Sequence, residues 1–451
     1  MDHAPIKYRL FTPWKLALLV VVAIGGVALY MRMTQGLGAT TNLSDTWPWG
    51  LWKGFNVLVL IAFGAGGFTS AALIYLFGGE KYHAWALPTA LWGLLCYSFA
   101  GASLMVDIGI PWRIINPIWM WPEHSILFEV AWCVMLYITV LALEVAPSIF
   151  QRFGWDRLAG TWRGLVPWYA VAGLTFFTYA MSHSFVWAGA ALVLFTAVNL
   201  MISTVRNKPS TPALLIMFGV ILSINHQSSL GSLFLLMPEK LSHFWWSPRL
   251  PFNFLLSAVA GGFAMLLVER TITCKLYDRA RPDHLMAALA RILVGALWLY
   301  VGFRVLDVLA VAASSEEFGG VAVAFGGSGK ATLFVVEMFL GFFVPALLLT
   351  SRTLRQHRRI RFVAAAMVVL GVAFNRLNVT FIGMNLEGTY VPSWQEVSIS
   401  AATLAAILFL FFLGIKLLPV YQVRDEPEVT GATGTGPGMV VSAPAAPANK
   451  I

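Results

Sequence analysis

Twelve apolar segments run through this chain, and no other feature narrows its fold so far. A helix needs about 20 apolar residues to cross the hydrocarbon of a bilayer. In lipid every backbone polar group must be satisfied within the segment, so such stretches are helices. They lie near 15–32, 51–78, 85–106, 125–147, 165–183, 185–204, 211–236, 251–269, 285–312, 331–350, 362–384 and 397–420. Residues 165–204 run to about twice the length a crossing needs, and a break at Ser182-His183-Ser184 makes them a helical hairpin. The expected fold is an all-α polytopic membrane protein of twelve transmembrane helices. With 59% hydrophobic and only 11% charged residues, the composition excludes an ordinary soluble domain.

Charge orients the bundle. With the hairpin in place, Lys7, Arg9, Lys15, Lys81, Arg152, Arg157, Arg163, Arg206 and Lys208 share one side with the basic run from Arg270 to Arg281 and the cluster Arg352–Arg361. The other side keeps Arg32, Lys53, Arg113, Lys240, Arg249 and Lys330. Basic loops face the cytoplasm, so both termini of this multi-pass protein are expected there. The net charge of +9 is therefore a topology signal and not a nucleic-acid one. The first apolar stretch, Trp14–Met31, has no clean small-residue cleavage site and reads as a retained helix. Residues 1–14 are read as a cytoplasmic N-terminus, 15–423 as the transmembrane domain, and the Gly/Pro/Ala-rich tail 424–451 as disordered.

Four outer loops, 36–50, 107–124, 238–250 and 385–396, are rich in Trp, Pro and Gly. Tryptophan at the headgroup level makes an interfacial belt; four such loops on one face also suit a partner platform or the mouth of a site for a lipid-soluble ligand. The three cysteines, Cys96, Cys133 and Cys274, lack metal-ligand spacing, and there is no CxxCH haem-attachment motif. No metal site is expected.

Ionisable groups inside apolar spans are costly and mark cavities, cofactors or partners. The most distinctive string is His226-Gln227-Ser228-Ser229-Leu230-Gly231-Ser232, in the outer half of the seventh segment. An imidazole beside an amide and hydroxyls can bond a carbonyl or hydroxyl and exchange a proton near neutral pH. Helix–helix hydrogen bonding is the structural alternative. A second group, Asp107, His124, Ser125 and Glu129, gathers on the same outer face, with Glu129 about one turn into the membrane. A third lies deeper: Arg304 and Asp307, three residues apart and able to pair, Glu337, and Asn375 with Arg376. Arg304 or Arg376 is the expected partner of Glu337. A proton path and a structural ion-pair network both fit this group, and Glu144, near the inner end of the fourth segment, is placed to finish such a path. Bis-histidine haem requires two imidazoles at one depth, and His226 has no second convincing intramembrane partner, so no haem is expected.

Several stretches, in order along nearly the whole chain, carry a resemblance: GLGATTNLSDTWPWGLW at 36–52, the Asp107-Ile-Gly segment, SILFEVAWCVMLY at 125–137, LALEVAP at 141–147, HQSSLGS at 226–232, the Glu337 segment, NRLN at 375–378 and YVPSWQE at 390–396. With these the chain resembles the NrfD/PsrC-like membrane subunits, of the HybB type that accompanies respiratory nickel–iron hydrogenases. The resemblance implies a quinone-reactive anchor that passes electrons between a ferredoxin-like iron–sulfur subunit on the periplasmic face and menaquinone or ubiquinone. The iron–sulfur clusters and nickel–iron site would sit on partner subunits, the hydrogenase large and small subunits among them. It implies a quinone-binding set of His226, Gln227, Ser228, His124, Ser125 and Asp107. Glu129, Glu144, Arg304, Asp307, Glu337, Arg376 and Glu396 would conduct protons or form buried ion pairs. Two departures stand out: an apparent extra hairpin at 165–204 beyond an expected ten helices, and His124 where a HybB-like anchor carries Asn. The alternatives are an anchor for a molybdenum enzyme or multihaem cytochrome and, from another class, an ion or solute transporter. No internal repeat of the transporter kind is visible.

Overall fold

In the computed structural model, residues 11–75, 82, 85–122, 125–206, 211–277, 281–313 and 329–418 are described. The expected N-terminal segment up to residue 10 and the tail from 424 lie outside them. Twelve helical rods follow one another among the described residues. The first six are α1 (Pro13–Gln35), α2 (Trp52–Val59, Leu60–Gly64 and Gly66–Tyr75 in succession), α3 (Ala86–Asp107), α4 (Ile126–Arg152), α5 (Asp156–Ser182) and α6 (Phe185–Arg206). Then come α7 (Thr211–Ser232), α8 (Leu250–Leu276), α9 (Asp283–Ala313) and α10 (Gly329–Met338, Phe339–Phe343 and Val344–Thr350). The last two are α11 (Arg358–Leu377 and Asn378–Ile382) and α12 (Trp394–Leu417). Among the described residues ten helices are long and apolar enough to cross a membrane, and Trp52–Gly64 and Phe185–Met201 are shorter apolar stretches. The protein is a multi-pass, all-α membrane protein.

The expected hairpin is present. α5 stops at Ser182, and His183 takes the left-handed conformation (φ 49°) while its N–H reaches Tyr179 O at 2.7 Å. α6 begins two residues later. α5 starts at Asp156, nine residues before the apolar window, because its first turns carry Arg157 and Arg163 on exposed positions that a hydropathy window excludes. The two helices of the hairpin are not equivalent. α5 packs on α4 and α7, whereas α6 packs chiefly on α5 and leaves Phe185, Val186 and Trp187 more than half exposed. That apolar surface faces lipid in a membrane, where it carries no cost.

The core rods meet at small residues. Gly341 of α10 and Gly371 of α11 face each other so closely that a Cβ on Gly341 would stand 2.7 Å from the Gly371 Cα. Such contacts let backbones approach where no hydrophobic force draws helices together. α12 opens with a capping box: Ser393 Oγ accepts from Glu396 N at 3.1 Å, and Glu396 Oε2 accepts from Ser393 N at 2.8 Å.

One end of the bundle gathers the Trp-rich loops. Asn385 N donates to Lys240 O (2.6 Å) and Ser242 N to Gly383 O (3.0 Å) around the bridge Leu241–Met384. Trp47 Nε1 reaches Glu387 O and Asn42 Nδ2 reaches Val391 O, both at 2.9 Å. This end is called the loop face and the opposite one the basic face.

Candidate functional site

α7 carries the central group. It is wedged among α2, α4, α5 and α8, so its polar string falls on buried positions. His226 is fully buried, and neither ring nitrogen has a hydrogen-bond partner among the described residues. Its ring lies 5.7 Å from Tyr97 of α3, which packs edge-on against Tyr137 of α4 at 4.5 Å. Gln227 Nε2 donates to Ile61 O on α2 at 3.1 Å. Gln227 Oε1 and Ser223 Oγ are buried beside the Tyr97 hydroxyl, which is within hydrogen-bonding reach of both, and among the described residues none of the three has a partner outside this group. Unpaired buried polar atoms are rare in native proteins because each costs about 1–3 kcal/mol. An imidazole with both nitrogens unpaired among the described residues, beside three further buried polar groups, marks a place where a polar ligand or water completes the bonding.

One turn toward the loop face, α7 and α4 are joined through a carboxylate. Asn225 Nδ2 donates to Glu129 Oε1 at 2.6 Å and Ser229 Oγ donates to the same oxygen at 2.9 Å. Glu129 in turn lies one turn past Ser125, the N-cap of α4, whose side chain makes no cap bond. Ser228 is half-buried; its carbonyl accepts from Ser232 Oγ at 3.2 Å. Gly231 gives α8 its close approach: a Cβ there would stand 2.6 Å from the Pro251 Cα. His124 lies outside the described residues.

Asp107 stands apart from His226. It ends α3, ten residues or about 15 Å along the helix from Tyr97, and pairs with Lys53 Nζ of α2 at 2.9 Å. Arg32 of α1, only 2% exposed, clamps the same corner by donating to Val106 O (2.9 Å) and Ile108 O (2.8 Å). Glu396 completes the loop-face end, accepting from Tyr390 OH, Asn42 N (3.1 Å) and Ser393 N. Burial, reinforced by its bond to Glu396, raises the Tyr390 phenol above its ordinary range, so it remains the donor.

The third group is split in two. On α9, Arg304 Nη1 pairs with Asp307 Oδ2 at 3.1 Å, as the three-residue spacing suggested. Asp307 also accepts from Arg249, Ser247 Oγ (2.8 Å) and Asn253 Nδ2. Arg304 Nη2 goes on to Phe244 O. Glu337 of α10 is 1% exposed and takes neither arginine as a direct partner. Three neutral donors hold it, each at 2.7 Å: Trp245 Nε1, Asn375 Nδ2 and Asn378 Nδ2. Arg376 reaches it only through Asn375, donating to Asn375 Oδ1 at 2.7 Å, and is otherwise held by Phe254 O and Ser257 Oγ at 3.0 Å. Arg376 also stands 3.8 Å from the Phe254 ring centroid, a position in which a guanidinium is attracted to the π face. Asp307 already claims Arg304, and Phe254 already claims Arg376; this is why the expected salt bridge to Glu337 is replaced by amides. Glu144 is half-buried, fifteen residues further down α4 than Glu129.

Sequence reasoning missed Tyr97, Lys53, Asn225 and Trp245. Asn225 immediately precedes the polar string His226–Ser232, but an aromatic such as Tyr97 in an apolar span carries no signal of its own. Among the described residues no group of three or more His, Cys, Asp or Glu is arranged to hold a metal. His226 is the sole buried histidine among those described, and His183 sits exposed in the hairpin turn, so the two do not offer a haem facing imidazoles at one depth.

Comparison with known proteins agrees with this architecture. A protein from Nitratidesulfovibrio vulgaris is 29% identical over 95% of this chain and 100% of its own length. The "Probable Ni/Fe-hydrogenase 2 b-type cytochrome subunit" of Escherichia coli K12 is 28% identical over 89% of this chain and 90% of its own. The "Menaquinone reductase, integral membrane subunit" of N. vulgaris is 26% identical over 92% and 93%. The family model described as "Polysulphide reductase, NrfD" matches residues 39–386. That span holds ten of the twelve rods whole, α2 to α11, together with the polar groups described above except Arg32, Tyr390, Ser393 and Glu396, and by it the chain belongs to the NrfD family of membrane subunits.

Proposed function

We propose that this chain is the quinone-reactive subunit of a respiratory complex, exchanging electrons between a peripheral iron–sulfur subunit docked on the loop face and the membrane quinone pool. The observation that carries the reading is the His226 imidazole, buried and unbonded at both nitrogens among the described residues, beside the buried polar groups of Gln227, Ser223 and Tyr97. These groups suit a ring carbonyl that becomes a hydroxyl: an imidazole donates from one nitrogen and accepts at the other, and the hydroxyls do both. A two-electron quinone reduction consumes two protons, which the surrounding side chains must deliver. Glu129 is the carboxylate bonded to the α7 residues on either side of His226, Asn225 and Ser229. It is assigned to proton exchange with His226 from the loop-face side, with Glu144 further along α4 toward the basic face. Ser125 and His124 would lie at the mouth. Asp107, held by Lys53, sets the charge of that mouth.

The Arg304–Asp307 and Glu337–Asn375–Arg376 groups belong to a second polar zone, in α9–α11. Each group is bonded densely enough within itself to serve as structure, and each supplies polar groups for proton transfer within itself. Glu396, whose oxygens accept from three donors, is assigned to holding the loop face together. The basic face is assigned to the cytoplasm by its arginines, which puts both termini there and the loop face in the periplasm.

A nickel–iron hydrogenase is the preferred catalytic partner, because the chain resembles the HybB type and matches the E. coli subunit of that description over nearly its full length. The menaquinone reductase relative supports a second partner class. Purification of the complex with its subunits identified separates the two: large and small hydrogenase subunits are expected, and a molybdenum enzyme or multihaem cytochrome in their place would overturn the hydrogenase assignment. His226→Ala is expected to abolish quinone turnover and leave dye-linked activity of the peripheral subunits intact.

A further inference from the structure

The basic face carries a charge arrangement that neither electron transfer nor topology requires. Helix α9 has 31 residues, about 46 Å, well beyond the roughly 30 Å of hydrocarbon. Its first two turns therefore stand in the headgroup layer, ending at Arg291. The short helix Arg352–Gln356 lies against α9 at this level. Arg355 is 9% exposed and its Nη1 donates to Leu349 O (2.7 Å) and Thr350 O (3.2 Å), fixing the guanidinium over the end of α10. Burial lowers its pKa, and the packing of this short helix on α9 puts Arg355 within the fields of both Arg291 and Arg352, which lower it further. The nearby carboxylate is already taken: Asp283 binds Arg361 and, at 2.6 Å, Arg358. Among the described residues Arg291 and Arg352 contact no carboxylate and Arg355 bonds only carbonyls. Like charges in such proximity are unfavourable without an anion.

Directly above the arginines, the outward face of α9 is shaped for an acyl chain. Arg291, Gly295, Trp298 and Leu299 follow at helical spacing, all exposed. Nothing stands within 4 Å of where a Gly295 side chain would be, leaving a notch. Trp298 forms one wall, with Nε1 bonded to Thr350 Oγ1 at 2.9 Å and its ring 5.8 Å from Phe343 of α10. Leu347 and Leu299, each about half exposed, continue the apolar surface.

We propose that Arg291, Arg352 and Arg355 bind the phosphate headgroup of an anionic phospholipid whose acyl chain lies along the Gly295–Leu299 surface of α9 and against Trp298. Guanidinium pairs recognise phosphate oxygens bidentately, and basic pockets between transmembrane helices hold anionic headgroups in this way. The bound lipid would brace α9 against α10, the helices that carry Asp307 and Glu337.

The test uses the full chain purified in detergent and stripped of lipid. Phosphatidylglycerol is expected to raise the thermal unfolding midpoint and to remain bound in native mass spectra. Phosphatidylcholine with the same chains should do neither. Each basic residue in contact with an anionic headgroup contributes about a fivefold factor, so Arg291→Gln with Arg352→Gln should weaken lipid retention about 25-fold, while Arg359→Gln, outside the proposed site, leaves it unchanged. Equal effects of the two lipids, or an equal shift from inorganic phosphate alone, would overturn the proposal. Should the double variant fail to fold, the comparison of lipids on the native chain decides.

Discussion

At the scale of single residues, buried polar groups in this protein fall into two kinds. Glu337 and Glu396 have every oxygen occupied. His226 has neither nitrogen occupied. The first kind predicts stability effects. Glu396→Ala would strand Tyr390 OH, Asn42 N and Ser393 N and dissolve the α12 capping box, at a cost of about 2–4 kcal/mol. Thermal unfolding in detergent checks this; a midpoint within a degree of the native one would contradict it. Glu337→Ala leaves Trp245, Asn375 and Asn378 facing a void and is expected to cost about 3–5 kcal/mol. Glu337→Gln keeps the volume and is expected to recover much of that loss. His226→Ala removes no contact other than ring packing, so its effect should fall on activity and not on the unfolding midpoint. His226 and its motif were legible in the sequence because an ionisable residue in an apolar span is conspicuous. The partner of Glu337 was not, because choosing between an arginine and two amides depends on which other acceptors have claimed the arginines.

At the scale of elements, the rods are regular except where the polar residues sit. Wide π-type turns interrupt α2 at Trp52–Val59, which contains Asn56, α10 at Phe339–Phe343, just past Glu337, and α11 at Asn378–Ile382, which begins with Asn378. An extra residue per turn rotates the helix and reorients the side chains beside it, and such turns frequently mark functional sites. Hydropathy showed the rods and the Ser182–Ser184 break, since both follow from apolar length. It showed neither the π turns nor the lipid-facing position of α6, because both depend on tertiary packing. Gly231 supplies the matching prediction. Gly231→Ala pushes against the Leu250–Pro251 backbone, so α7 must shift relative to α8. Quinone-linked turnover is expected to fall by about tenfold or more, in keeping with the sensitivity of catalysis to misplacement of about 1 Å. Unchanged turnover would show that α7 tolerates the displacement.

At the scale of the whole molecule, two faces are set against each other across the bundle: aromatic loops stitched together at one end, arginines at the other. The orientation assigned here predicts that a reporter active only in the cytoplasm works when fused after Arg152 or Thr350 and fails when fused after Ser182 or Lys240. The reverse pattern would invert the assignment. The family follows from a match over most of the chain, and the twelve-rod architecture from the apolar lengths. The chemistry rests on a narrower base, the His226 cluster at the meeting of α2, α3, α4 and α7. Quinone turnover by the purified complex carrying His226→Ala, measured beside its dye-linked activity, tests that base most directly. Loss of quinone turnover with dye-linked activity retained and an unchanged unfolding midpoint is the expected result; full quinone turnover in that variant would contradict it.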